Sequence, residues 1–315
     1  MNNKNYIQII IALGFIVYSN SLFNGFAFDD LWQIQNNTKV HSLSSIPSIF
    51  IGSTFGYVNP GDQPTNLFYY YKPFMTLGFN LIYAISGATP FSFHFVQILM
   101  HILVSILIFK LFSRYFQKKL SLFLSLVFLV HPINTETVDY IAAFQDVLFT
   151  FFGLICLYYF IRKTEFEVKF KKTYYLLIYA LLFSSMLSKE SGILFLALLP
   201  LYSIIFVRKK IIPIIPISFL TLLSYLYLRF AIGNVGFNPV RFIPIAEANL
   251  LTRIINIPKM FFYYLSTLFF PKDIFFQPMW LIKNITFKDF YLPLTIDLVF
   301  IAAILMLGFI TWKKM

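Results

Sequence analysis

Charged side chains are scarce in this sequence. Only 12% of its 315 residues are Asp, Glu, Lys or Arg, while 59% are apolar and the mean hydropathy is +0.75. A soluble domain of this length needs more polar material to cover its surface, so a soluble globular protein is excluded. The single cysteine, Cys156, sits in an apolar run, which excludes a disulfide framework and a cysteine metal site. Glycine is thin, and none of it builds a phosphate-cradling loop or a nucleophile elbow; HExxH is absent too. Nucleotide hydrolysis and zinc proteolysis are therefore not expected. A net charge of +12 would suit nucleic acid, but the basic residues fall in short clusters between apolar segments, the positive-inside pattern of membrane proteins. No nucleic-acid partner is expected.

What is present is a series of apolar segments, each of the length that crosses a bilayer. They fall at 6–23, 93–113, 120–131 (extending toward 138), 141–161, 174–188, 191–207, 211–229 and 293–312. The pattern predicts an all-α polytopic transmembrane helix bundle of about 8–10 spans. The first segment resembles a signal peptide, but no small-residue cleavage site follows, and it is read as an uncleaved first span. Lys4, Lys110, Arg114, Lys118, Lys119, Arg162, Lys163, Lys169, Lys171, Lys172, Arg208, Lys209, Lys210, Lys313 and Lys314 mark the cytoplasmic side. Only two of the 13 acids, Glu165 and Glu167, fall there. The N-terminus is thus expected in the cytoplasm.

The whole chain, 1–315, is expected to be a single membrane domain. Residues 24–92 form a first outer loop with short interfacial helices at Leu43–Phe50 and Pro73–Ile85. Residues 230–292 form a later outer segment. Its stretch Ile254–Phe270, interrupted by Pro258 and Lys259, is expected to be irregular and partly inserted. It is re-entrant, lies along the interface, or pairs with Ile274–Ile285 as a full span.

The remaining acids concentrate on the outer side, where a charge at a membrane boundary is costly and points to function. Asp29-Asp30 follow the first span. Adjacent carboxylates repel, so one holds a proton or a cation, which suits a general base; the alternative is a solvated helix cap. Tyr71-Lys72-Pro73-Phe74 offers a phosphate-neutralising point charge, or a lysine snorkelling to the headgroups. His94 and His101 share one helical face, and His94, nearer the outer end, is the likelier of the two to act; as a bundle histidine, each is more often a packing residue than a ligand. His131-Pro132-Ile133-Asn134-Thr135-Glu136, with Asp139 and Gln145-Asp146, is the densest polar run; capping accounts for Thr135 and Glu136 but not for His131 or Asp146. Lys189-Glu190 is either a surface ion pair or part of a site. Arg229, Arg241, Arg253 and Lys259 add cations that, with Lys72 and Lys189, suit an anionic lipid headgroup.

The order of these motifs resembles the GT-C membrane glycosyltransferases, above all the transmembrane O-mannosyltransferases that carry tetratricopeptide repeats, and their bacterial relatives. The carrying residues are Phe28-Asp29-Asp30, Tyr71-Lys72-Pro73-Phe74, Phe93-His94-Phe95-Val96 with His101, His131-Pro132 with Thr135-Glu136, Asp146, and Ser188-Lys189-Glu190-Ser191-Gly192. The likeness covers roughly residues 15–280, without the repeats. It departs at Lys72, where the family has Arg, and at Asn134 (His), Gln97 (Asn) and Gln145 (Arg). It departs again over Leu268–Gln277, where a polar stretch is usual. The resemblance implies inverting transfer of a sugar, mannose or another hexose, from a polyprenyl-phosphate-linked donor. The acceptor is a hydroxyl of a protein Ser/Thr, a lipid or a glycan, at the outer face of a multi-pass protein in a prokaryotic plasma (inner) membrane. Membrane lipids are the other partners. Asp29 or Asp30 would be the base, with Asp30 favoured. Lys72, His131, Glu136, Asp146, Lys189, Glu190, Arg229 and Arg253 would hold the donor phosphate and sugar, with His94 nearby. No cofactor is implied with certainty; a divalent cation on Asp29 and Asp30 is the one candidate. The competing readings are a transporter or lipid flippase, and a catalytically inactive relative serving as a membrane subunit.

Overall fold

The computed structural model describes residues 3–55, 70–166, 171–207, 213–236, 244–272, 274 and 280–314. The described residues are helices and turns, with no strand among them, so the all-α helix bundle is what this chain forms. Among the described residues, six helical segments are long and apolar enough to cross a membrane: Asn3–Phe23, Pro90–Phe112, Ile141–Thr164, Glu190–Val207, Ile214–Ile232 and Phe287–Ile310. Lys118–Val130 and Pro132–Asp139 make a seventh if read as one span, bent by 47°. The bend falls at Pro132, which has no N–H to continue the helix. Lys172–Ser188, the expected span at 174–188, is a helix of 17 residues.

The chain divides into two compact units, Met1–Phe237 and Asn238–Met315. In the first, α4 (Pro90–Phe112) is the central element. It packs against α1 (Asn3–Tyr18), α5 (Lys118–Val130) and α7 (Phe144–Phe166). Ile10, Ile98, Ile102 and Leu129 close the α1–α4–α5 side. A second cluster, including Cys156, Phe160, Ile178, Leu182 and Leu199, joins α7 to α8 (Lys172–Ser188), α9 (Ile193–Tyr202) and α10 (Ile214–Tyr227). Leu176, Leu194 and Phe219 point outward, as lipid-facing residues do.

Lipid tails are as apolar as leucine, so close packing and interhelical hydrogen bonds hold such a bundle together. Tyr18 and His101 both donate to the Leu129 carbonyl, at 2.9 and 3.1 Å. Ser185 on α8 donates to the Phe149 carbonyl on α7 at 2.8 Å.

The first outer loop carries two of the expected short helices, α2 (Ile46–Ile49) and α3 (Pro73–Ser86). The α3 helix seats Met75 and Phe79 against Phe93 of α4 and Phe144 of α7. Asn80 of α3 donates to the carbonyls of Lys39, Val40 and Ser42 at 2.8–3.1 Å, which fastens the loop to that helix.

The second unit contains α11 (Pro244–Glu247), α12 (Leu250–Phe269) and α13 (Leu292–Lys314). The irregular stretch expected at Ile254–Phe270 is instead a continuous helix that accommodates Pro258. Its Asn256 exchanges two hydrogen bonds with the Ile282 backbone, and Lys259 pairs with Asp289 at 2.6 Å over the Trp280 ring. Further along, Phe269 meets Phe300. The pairs 259–289 and 269–300 advance together, so α12 and the start of α13 run in the same direction. The α12 helix is not one of those six.

One backbone constraint fixes the turn between α8 and α9. A Cβ on Gly192 would lie 2.7–2.8 Å from backbone atoms of Ser185 and Met186, which have no room to move. Gly192→Ala is expected to cost about 1–3 kcal/mol and to lower the thermal unfolding temperature in detergent; an unchanged temperature contradicts this packing.

Candidate active site

Phe28 adopts a left-handed backbone with φ +47°, which is unfavourable for a bulky residue. The turn splits the two acids that follow. Asp30 points inward and is 1% exposed. Its two carboxylate oxygens accept from the Ala27 and Ala142 N–H groups at 2.9 and 2.8 Å. It therefore pins the first outer loop to the start of the fourth long apolar segment. Asp29 is half-buried instead. Its N–H donates to the Tyr140 hydroxyl at 3.1 Å, and that hydroxyl donates to the Asp29 carboxylate. Burial raises the Tyr140 hydroxyl above its ordinary pKa, which keeps it a donor.

Both carboxyls are shifted. Burial pushes Asp30 up to about 6, against the two backbone bonds that lower it, with Asp29 adding to the rise. Burial raises Asp29 as well, while Tyr140 and Lys72 pull it back.

Lys72 sits just before α3 and is 7% exposed. Its N–H donates to Thr54 Oγ1 at 2.7 Å, and its ammonium lies 4.7 Å from the centre of the Tyr70 ring. Burial lowers its pKa to about 8; Glu190, Asp146 and Asp29 oppose the fall and Lys189 adds to it. Among the described residues no carboxylate stands within ion-pair distance of it.

Two ion pairs flank it. Lys189 holds Asp146 at 2.5 Å, joining the end of α8 to the first turn of α7. Arg229 holds Glu190 at 2.5 Å and also donates to the Tyr225 hydroxyl at 2.9 Å and the Val235 carbonyl at 3.3 Å. The arginine side chain is 3% exposed and the glutamate 38%. Glu136 lies within the electrostatic reach of Asp146 and Lys189. The first unit thus brings Asp29, Lys72, Glu136, Asp146, Lys189, Glu190 and Arg229 together.

Other expected residues are placed differently. His131 Nδ1 accepts from the Ile133 N–H at 3.2 Å, capping the turn that opens at Pro132. His94 is buried beside the Asn24 and Gly25 backbone, under the start of the outer loop. Arg253 lies in the second unit, where it donates to the carbonyls of Ala246 and Ala248. Arg241 and part of Leu268–Gln277 lie outside the described residues. Among the described residues no three His, Cys, Asp or Glu side chains gather as a metal cage. A divalent ion bridging Asp29 and Asp30 would have to reach Asp30, which is 1% exposed and accepts a backbone bond on each oxygen, so the two carboxylates do not form an open metal site. The sequence reading missed Tyr140, Thr54 and Asn80. Tyr140 is one of 20 tyrosines, and only its position between Asp139 and Asp146 sets it apart.

The Asp30 shift has a consequence for stability. Its folded pKa lies above the unfolded value, so the native form binds the extra proton. Stability from this group is full below about pH 4 and is lost as pH rises toward 6, by no more than about 3 kcal/mol. Asp30→Asn is expected to flatten the slope of unfolding stability between those pH values. An unchanged slope contradicts the burial of this carboxyl.

Residues 71–231, just over half of the chain, match the family described as dolichyl-phosphate-mannose-protein mannosyltransferase. The matched segment begins at Tyr71-Lys72 and ends just past Arg229. Protein O-mannosyl-transferase TMTC3 of Homo sapiens is 28% identical over 217 residues, 68% of this chain and 23% of that protein. Protein O-mannosyl-transferase TMTC2 of Homo sapiens is 32% identical over 212 residues, 65% of this chain and 25% of its own length. The chain therefore spans about a quarter of the length of these relatives. No solved structure matches. With helices fit to cross a membrane and a family match over Lys72, Asp146, Lys189, Glu190 and Arg229, this chain belongs to the dolichyl-phosphate-mannose-protein mannosyltransferase family.

Proposed function

We propose that this chain is an inverting glycosyltransferase that moves a hexose, mannose first, from a polyprenyl-phosphate-linked donor to a hydroxyl acceptor. A protein Ser/Thr is the foremost acceptor, since the relatives are named as protein O-mannosyl-transferases. The reaction belongs at the non-cytoplasmic face. The observation that carries the reading is Lys72: a buried cation with no ion-pair partner among the described residues, between a half-buried carboxylate and two ion pairs.

The base in this proposal is Asp29, not the Asp30 favoured from sequence. Asp30 has both oxygens committed to backbone N–H groups. Asp29 is reachable and oriented by Tyr140. In the reaction the acceptor oxygen attacks the anomeric carbon and its proton passes to the Asp29 carboxylate. The bond from that carbon to the phosphate oxygen breaks, and the electron pair leaves with the lipid phosphate. Negative charge grows on the phosphate, and fixed cations stabilise it where water is sparse. Lys72 supplies the uncommitted charge; Lys189 and Arg229 act from within their pairs. These groups gather at one end of the first unit rather than along a path through it, which favours transfer over transport.

Two experiments test this. In proteoliposomes with polyprenyl phosphate mannose, Asp29→Asn is expected to slow transfer by about 10²- to 10⁴-fold while donor binding persists. Transfer that survives the change refutes the assignment. The pH profile of kcat/KM is expected to be bell-shaped, because Asp29 must be ionised and Lys72 charged. Its alkaline limb is expected near pH 8 and to disappear in Lys72→Arg, whose guanidinium keeps its charge. A limb that stays in the variant contradicts the role of Lys72.

A further inference from the structure

Beneath the ion pair of Asp146 and Lys189 lies a cavity of about 190 Å³. Its floor is α4, through His101 and Val104; Phe128 of α5 and the first turns of α7 form walls. The roof is Asn134 and Thr137, on the turn after Pro132 and on α6 (Thr135–Asp139). It exists because α5 stops at Val130, and the chain bends by 47° before continuing outward.

The lining decides what it takes. Asp146 commits one oxygen to Lys189, which leaves the other as an acceptor. Asn134 donates one N–H to the Phe128 carbonyl, which leaves a second N–H and its oxygen. His101 donates through Nε2 to the Leu129 carbonyl, so Nδ1 is an acceptor in the neutral ring. Hydroxyls of Thr137 and Thr150 complete the polar side, and the Phe128 and Phe149 rings give apolar faces. An isoprenoid chain here would strip water from Asp146 and His101 without replacing its hydrogen bonds. A phosphate would face the Asp146 carboxylate, with no Lys or Arg among the described lining residues. A neutral, hydroxyl-rich ring satisfies the polar groups and covers the aromatic ones. At about 190 Å³ the space lies below the ~300 Å³ at which pockets for drug-sized ligands begin, which suits one sugar ring.

We propose that this cavity is the pocket for the hexosyl group of the donor, with Asp146, Asn134 and His101 reading its hydroxyls. It rests on the reading that the chain uses a lipid-linked sugar. The lipid phosphate then lies on the Lys189 side of Asp146, and the ring beneath it. Thr137 and Thr150 bound the space that the ring would occupy.

The test measures binding of polyprenyl phosphate and polyprenyl phosphate mannose to the full chain in nanodiscs. Wild type is expected to bind the mannose-bearing lipid at least about tenfold more tightly. Thr150→Leu and, from the floor, Val104→Phe are expected to erase that preference while binding polyprenyl phosphate within about twofold of wild type. The proposal is overturned if wild type shows no preference, or if either variant keeps it, which is what a cavity holding only water predicts. If wild type binds neither lipid, the glycosyltransferase reading falls with it; binding both lipids equally removes only the hexosyl pocket.

Discussion

The arrangement depends on keeping the ammonium of Lys72 charged while it is almost removed from water. Burial of such a group is tolerated only with compensating charge or with neutralisation. Here the compensation is spread out. Glu190, Asp146 and Asp29 attract it, Lys189 repels it, and the Tyr70 ring covers it. Among the described residues no carboxylate claims it outright. The result is a cation with a lowered pKa, which in the proposed reaction meets the anionic headgroup of the donor.

Much of the surrounding architecture serves to hold this balance. Thr54 fixes the backbone of Lys72, and Asn37 donates to the Thr54 carbonyl at 3.2 Å. Asn80 ties the next turn of the loop to α3. Gly52 donates to the Gly233 carbonyl at 3.0 Å, linking the loop to the segment after Arg229. Asp30 fastens the loop at its other end, to Ala142. Losing one partner of such a buried hydrogen bond leaves the other unsatisfied, at a cost of about 1–3 kcal/mol, so these contacts hold the loop in one position.

The spans were legible because their signal is local: about 20 apolar residues, with basic clusters between them. The break after α5 was legible for the same reason, since Pro132 carries it alone. The proximity of Lys72, Glu136, Asp146, Lys189, Glu190 and Arg229 was foreshadowed by their motifs, whereas His131 caps the turn at Pro132 and Arg253 lies in the second unit. The pairing within this cluster was not legible. Asp146 meets Lys189 across 43 positions and Glu190 meets Arg229 across 39, and nothing in either local sequence names the partner. Asp29 and Asp30 are adjacent and chemically identical, yet the left-handed turn at Phe28 sends one to the interior and leaves the other reachable. The continuity of α12 was missed because Pro258 and Lys259 read as a break, while the Lys259–Asp289 and Asn256–Ile282 contacts that support the helix come from distant positions.

The most direct measurement is the ionisation of Lys72 itself, followed by NMR of the side-chain ammonium in nanodiscs as pH is raised. The account predicts a pKa near 8 in the free protein and a clear rise when polyprenyl phosphate is added, because a bound phosphate favours the charged form. An ordinary lysine pKa that does not respond to the lipid would contradict it.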